Sequence, residues 1–144
     1  MTYTFGGISK NKLTGVHPDL VGVAECALSF GILDFSVSEG VRTEQRQKEL
    51  LQTGFTKTLA SKHLIQADGY GHALDLYPYP IDMARVQKGD AREIARFGLL
   101  AGLMLRAAQD LGVKIRWGAD WDGDGQTLDH SFFDAPHFEL VKGT

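Results

Sequence analysis

The stretch "SKHLIQADGYGHALDLYPYP", residues 61–80, decides how this chain is read. Its second half contains "HALDLYPY", which reads as a short strand that Pro78 and Pro80 terminate, because proline cannot donate to a sheet ladder. The residues before it, 56–71, read as a loop. In extended backbone successive side chains point to opposite faces, so Ala73 and Asp75 share one face while His72 and Leu74 share the other. His72 and Asp75 are therefore not expected to face the same metal ion.

Working outward, "HPDLVGVAECALSFGI" reads as a helix: Pro18 suits its first turn, apolar residues recur at helical spacing, and Gly31 can end it. "DFSVSEGVR" alternates apolar and polar residues as a half-buried strand does. "TEQRQKELLQTG" offers Thr43 as N-cap, Glu44 in the first turn and Gly54 as a stop. "DAREIARFGLLAGLMLRAAQDLG" is the strongest helical pattern, with Asp90 and Glu93 placed as a capping box and Gly112 closing it. "KIRWG" and "HFELV" supply further strands, with an acidic loop between them. With no repeat and no linker, residues 1–144 are expected to form one compact α+β domain, a small, mostly antiparallel sheet flanked by helices.

Composition narrows the function classes. The 144 residues are 43% hydrophobic and 23% charged, ordinary for a globular protein and enough for a real core without staples. Net charge is −3 with no block of like charges, so nothing favours a nucleic-acid role. Cys26 is the only cysteine, which rules out an intrachain disulfide and a thiolate-rich zinc site; its surroundings predict a buried helix position. The first residues lack the pattern of a secretory signal. The longest apolar run, "FGLLAGLML" at 97–105, falls far short of the roughly 20 residues of a membrane span. No membrane insertion is expected, and synthesis in the cytosol is.

Histidines and carboxylates remain as the chemistry-bearing residues. A catalytic zinc takes about three protein ligands and keeps one position open for water. The short signature of two histidines one helical turn apart around a glutamate is absent, and so is any CxxC pair, so a site must be assembled from separated segments. His63 and Asp75 supply one candidate pair. "DAPHFEL" adds Asp134, His137 and Glu139, and His137 could be a third ligand delivered on a neighbouring strand.

Ser-x-His at 61–63, Gly-x-Ala-x-Asp at 71–75 and Asp-x-Pro-His-Phe-Glu at 134–139 together resemble the zinc peptidases of the D-alanyl-D-alanine carboxypeptidase family. Within it the closest likeness is to phage endolysins that act as L-alanyl-D-glutamate peptidases. The upstream "EGVRTEQRQKELLQTGFTKT" is similar to that family's Val-Arg-Thr segment, and the likeness runs over residues 15–142. The resemblance implies a zinc cleft on the sheet, with His63, Asp75 and His137 as ligands. It implies Asp134 as general base, Arg42 as the cation that steadies the developing oxyanion, and Ser61 beside the metal, orienting substrate or ligand. "LIQADGY" makes the loop between His63 and Asp75 longer than is usual there, which inserts Asp68 as a rival carboxylate. Glu139 shares the strand face of His137 and could serve as the base or as a partner of the ligand.

The expected function is zinc-dependent hydrolysis of the L-alanyl-D-glutamate bond in peptidoglycan stem peptides, by a monomer with no separate wall-binding domain. The enzyme would be made in the host cytoplasm and reach the periplasm once the membrane is permeabilised. One rival is a D-alanyl-D-alanine carboxypeptidase or dipeptidase, which the same ligands would serve, since specificity lies in pocket shape. The other is a non-catalytic, metal-stabilised wall-binding module, against which Asp134 and Arg42 argue because binding alone needs neither.

Other residues have plainer readings. His17 is expected at the surface and Arg46 in a structural role, while His72 and His130 are the competing histidines. Trp117, Trp121, Phe132 and Phe133 are expected to pack the core or wall the cleft. Asp120, Asp122, Asp124 and Gly125 occupy the first, third, fifth and sixth positions of an EF-hand-type calcium loop. Ser131 stands where that loop has its glutamate, Asp129 offers a late carboxylate, and no second flanking helix is predicted. The plainer reading is a solvated acidic loop.

Overall fold

The computed structural model describes residues 2–54, 61–120, 122–126 and 134–141. In chain order the elements are α1 (Gly7–Lys12), α2 (Pro18–Ser29), β1 (Phe35–Glu39), α3 (Glu44–Gln52), β2 (Ala73–Pro78), α4 (Met83–Gln87), α5 (Ala91–Leu111), β3 (Ile115–Trp117) and β4 (His137–Leu140). The strands form one sheet in the order β1-β2-β4-β3, with every neighbouring pair antiparallel. This is the α+β arrangement the pattern predicts.

Most helix boundaries follow local chemistry. The Thr43 side chain accepts the Arg46 amide at 3.1 Å and starts α3. Asp90 accepts the Arg92 amide at 2.9 Å and starts α5, which ends at Gly112 in left-handed backbone. Glu93 does not close a capping box. Its Oε2 accepts the Asp82 amide at 3.2 Å instead, tying the start of α4 to α5. The short α1 and α4 escape a reading based on periodicity, because six and five residues hold too little of a helical repeat. His17 is not a simple surface residue: it is half-buried, and its Nδ1 accepts the Asp19 amide at 3.0 Å to cap α2. Cys26 lies on α2 as expected but is half-buried rather than buried.

The core lies between one face of the sheet and helices α2 and α5. Leu74, Leu76 and Phe138 point from the sheet toward Leu20, Val23, Leu100 and Met104, and all of these are fully buried. Each such side chain contributes about 1.5–3 kcal/mol relative to an exposed one. Strand alternation sends their neighbours to the opposite face. There Asp75 sits directly between Glu39 on β1 and His137 on β4, while the next row holds Ala73, Glu139 and Arg116. Among the described residues, no helix is long and apolar enough to cross a membrane.

Candidate active site

Three of the expected residues come together on that second face. Nε2 of His63 lies 3.3 Å from Oδ1 of Asp75, and Nδ1 of His137 lies 3.3 Å from the same oxygen. The three donor atoms all fall within 4.8 Å of one another. Asp75 and His137 meet because they are directly paired across β2 and β4. His63 arrives from the loop before β2, held where its carbonyl accepts the Arg42 amide at 2.8 Å.

The hydrogen bonds around the two imidazoles fix which nitrogen faces inward. His63 Nδ1 lies 2.8 Å from the Gly40 carbonyl, which can only accept, so Nδ1 carries the proton and Nε2 presents a lone pair. That Nε2 is buried and, among the described residues, has no hydrogen-bond partner. His137 Nε2 lies 2.9 Å from Oε1 of Glu139, so the carboxylate takes the Nε2 proton and Nδ1 turns toward Asp75. An outer carbonyl or carboxylate on each histidine is the arrangement that orients metal-ligating imidazole. Two donors about 2.0–2.1 Å from a tetrahedral zinc stand about 3.3 Å apart. Both nitrogen–oxygen separations match that spacing, and two imidazole nitrogens with one carboxylate oxygen suit the ion chemically. The residues fit a zinc ion.

Electrostatics point the same way. Burial disfavours charge on Asp75, but the hydrogen bond from His137 and the adjacent imidazole of His63 outweigh it and hold the carboxyl well below the usual range. Burial also opposes charge on His137, yet the Asp75 and Glu139 carboxylates raise its pKa to about 9. Without a metal, His137 therefore carries the cation this cluster of carboxylates calls for. Asp134 lies beside it, Oδ2 being 4.0 Å from His137 Nδ1, and burial together with the Asp75 charge pushes its pKa up.

Arg42 is buried and clamped. Its Nε and Nη2 each donate to Glu39 at 2.8 Å, a bidentate pair, and Nη1 donates to Gln47 Oε1 at 2.7 Å and to Ser61 Oγ at 3.4 Å. Ser61 Oγ also accepts the His63 amide at 3.1 Å, so it joins the guanidinium to the ligand-bearing loop. Two glycines allow the backbone to close around the site. A Cβ on Gly40 would collide with the Lys12 carbonyl, and one on Gly118 with the Asp134 carbonyl. Gly118 receives the Asp134 amide at 2.8 Å and gives its own to His137 at 2.7 Å, while Trp117 Nε1 donates to the Ala135 carbonyl at 2.7 Å. This holds the turn from Asp134 to His137 in place.

Glu39, Gln47, Gly40 and Gly118 were not singled out from sequence. A glutamate three residues before Arg42 was a usable signal for the clamp; the glycines' roles depend on chain crossings that no local pattern carries.

The rival residues go elsewhere. Asp68 Oδ2 lies 2.8 Å from His72 Nε2 and 3.7 Å from His17 Nε2, a separate cluster that ties the long loop to the start of α2. His72 faces away from Asp75, as the strand period requires. Trp117 packs against the core, and Arg46 makes an exposed pair with Glu49. Asp120, Asp122 and Asp124 bring carboxylate oxygens within 4.8 Å of one another, but the carboxylates also accept amides within their own loop: Gly125 to Asp120 at 2.8 Å and Gln126 to Asp124 at 2.8 Å. Trp121, Asp129, His130, Ser131, Phe132 and Phe133 lie outside the described residues.

Comparison with known proteins shows the family. The family of phage L-alanyl-D-glutamate peptidases matches residues 1–141. The L-alanyl-D-glutamate peptidase of Escherichia phage T5 is 32% identical over 147 residues, spanning 98% of this chain and 100% of the relative. The crystal structure of the Serratia marcescens L-Ala D-Glu endopeptidase ChiX has a TM-score of 0.72 at 34% identity, covering 96% of this chain and 90% of that one. In fold and in sequence along nearly its whole length, the chain belongs to the phage L-alanyl-D-glutamate peptidase family.

Proposed function

We propose that the chain hydrolyses the L-alanyl-D-glutamate bond of peptidoglycan stem peptides as a zinc-dependent endolysin. The observation that carries this is the convergence of His63 Nε2, Asp75 Oδ1 and His137 Nδ1, with Asp134 at their edge. Those three atoms would hold the zinc, which when bound supplies Lewis-acid activation of water and of the scissile carbonyl.

The rest of the reaction belongs to the chain's own groups. Asp134 takes the proton from the attacking water at its carboxylate and hands it to the leaving amine of D-glutamate. Its burial beside Asp75 supports this role, since a raised pKa makes a carboxylate a better proton acceptor. Arg42 contributes fixed positive charge for the oxyanion that develops in the transition state. Its clamp to Glu39 and Gln47 means that charge is in place before substrate arrives. Ser61 keeps Arg42 and the His63 loop in register, and Glu139 keeps the His137 lone pair turned inward.

The acidic loop gives a finer reading: Asp120, Asp122 and Asp124 take a calcium ion. Their spacing within 4.8 Å supports it, and a rate independent of free calcium at fixed zinc removes it. Membership of a phage family supports synthesis in the host cytoplasm and action on the wall after the membrane is breached.

Mass spectrometry of muropeptides incubated with the chain, with and without a chelator, tests the central claim. A chelator-sensitive product with a new D-glutamate amino terminus is expected. Loss of terminal D-alanine moves the function to a carboxypeptidase, and intact substrate with zinc and calcium supplied rejects the enzyme.

A further inference from the structure

The two ends of the site differ in character. Along β2 the side chains on this face run Ala73, Asp75, Tyr77, with about 7 Å between successive ones. At the Ala73 end lies Glu139, with Arg116 Nη1 3.5 Å from its Oε2 and the Lys62 charge also acting on it. Among the described residues, two cations there act on this carboxylate. At the Tyr77 end a cleft of about 330 Å³ opens, walled by Tyr77, Met83, Val86, Ile94 and Phe97, with Asp134 on its rim. Tyr77 and Phe97 stand edge to face with centroids 5.7 Å apart, which fixes the inner wall.

A bound L-alanyl-D-glutamyl segment is also asymmetric. The acyl side of the scissile bond is uncharged and carries a methyl group, while the amine side carries a free carboxylate. An anion inside an apolar cleft rimmed by Asp134 meets both desolvation and like charge. The uncharged side meets neither. One residue on each side of the triad reaches toward each end, since an extended residue spans about 3.5 Å and the side chain adds to it.

Resting on the peptidase reading above, we infer that the Tyr77–Phe97 cleft is the acyl-side subsite, and that the D-glutamyl carboxylate points to Lys62 and Arg116. A water-sized group fills about 30 Å³ of liquid, so alanine's methyl alone leaves most of the cleft open. The cleft therefore also takes the group attached to alanine's nitrogen. This makes the chain selective for stem peptides whose alanine is acylated by a compact apolar group.

The test compares three substrates with the zinc-loaded full chain: acetyl-L-alanyl-D-glutamate, hexanoyl-L-alanyl-D-glutamate, and acetyl-L-alanyl-D-glutamyl-lysine. The hexanoyl substrate is expected to exceed the acetyl one about tenfold in kcat/KM, mainly through KM. Val86→Phe and Met83→Phe narrow the cleft from its partly exposed side, and each should bring that ratio toward one. Two variants with Tm measured guard against a folding artefact. A ratio unchanged in both folded variants overturns the proposal, and so does a selective loss on the lysine-extended substrate, which places the cleft on the leaving side.

Binding of N-hexanoyl-L-alaninamide, followed by amide chemical shifts of Val86 and Ile94, needs no turnover. Shifts in wild type that vanish in Val86→Phe support the subsite even if no substrate is cleaved, in which case the peptidase reading fails alone. Cleavage of the substrates with no shift at these amides removes the subsite and keeps the peptidase.

Discussion

The two faces of β2 do opposite work with adjacent residues. Leu74 and Leu76 are fully buried against the helices, whereas Asp75 between them faces two imidazoles and an arginine-bound glutamate row. The apolar face gains stability by leaving water. The polar face gathers Asp75, His137, Glu139 and Asp134 at a cost in desolvation that their mutual contacts outweigh at Asp75, His137 and Glu139 but not at Asp134. The two are mechanically one object, because a one-residue slip of the strand would bury Asp75 in the core and expose the leucines. The core therefore sets the register in which the site is assembled.

Changing one residue on each face separates these roles. Asp75→Ala is expected to lower kcat/KM by roughly three orders of magnitude or more and to abolish stoichiometric zinc, while the chain still unfolds cooperatively. Leu74→Ala should do the reverse, costing about 2–5 kcal/mol of stability while the folded fraction keeps its zinc stoichiometry. Denaturant titration combined with metal analysis reads both. Equal damage to stability and metal binding by either variant would show that the faces are not separable.

A milder break acts through the histidine's partner. Glu139→Gln keeps an acceptor near His137 Nε2 but removes its charge, and zinc affinity should weaken by about 10–100-fold. Competition against a chelator of known affinity measures this, and an unchanged constant would assign Glu139 a packing role only.

The same face predicts a proton count. In the stripped protein the His137 pKa is raised from 6.5 to about 9, so its contribution to stability is full below about 6.5 and is lost as pH rises through about 9. Asp75 is lowered from 3.8, so its contribution is present above that value and lost only as pH falls well below it. Zinc loading at pH 7.5 must then expel about one proton from His137. Calorimetry in two buffers of different ionisation enthalpy counts it, and a count of zero would mean the imidazole is already neutral.

What could be read from sequence follows the range over which each feature is encoded. Thr43, Asp90 and Gly112 mark helix ends because a cap acts within one turn, and all three stand where expected. The alternation in "HALDL" separates His72 from Asp75 because the strand period is local. The grouping of His63, Asp75 and His137 became legible through three ordered motifs whose family likeness the comparisons support. The Arg42 clamp and the Gly118 crossing did not, since both depend on which segments meet. Glu93 shows the limit even locally: its spacing fits a capping box, but the neighbouring Asp82 amide offers a competing donor.

The smallest expected effect is also the cleanest control on the comparison of faces. Gly98 and Gly102 lie inside α5 on exposed turns, and a Cβ at either meets no atom within 4 Å. Glycine inside a helix is less favourable than alanine by roughly 0.5–1 kcal/mol, because the unfolded chain loses more freedom on folding. Gly98→Ala and Gly102→Ala should each raise stability by about that amount, and together by about the sum, since a methyl in open space creates no new contact to couple them. Neither touches the polar face, so zinc affinity and kcat/KM should stay within twofold. If activity falls as stability rises, then α5, which packs directly on β2, transmits motion that the site uses, and the two faces are coupled in dynamics although they are separate in chemistry.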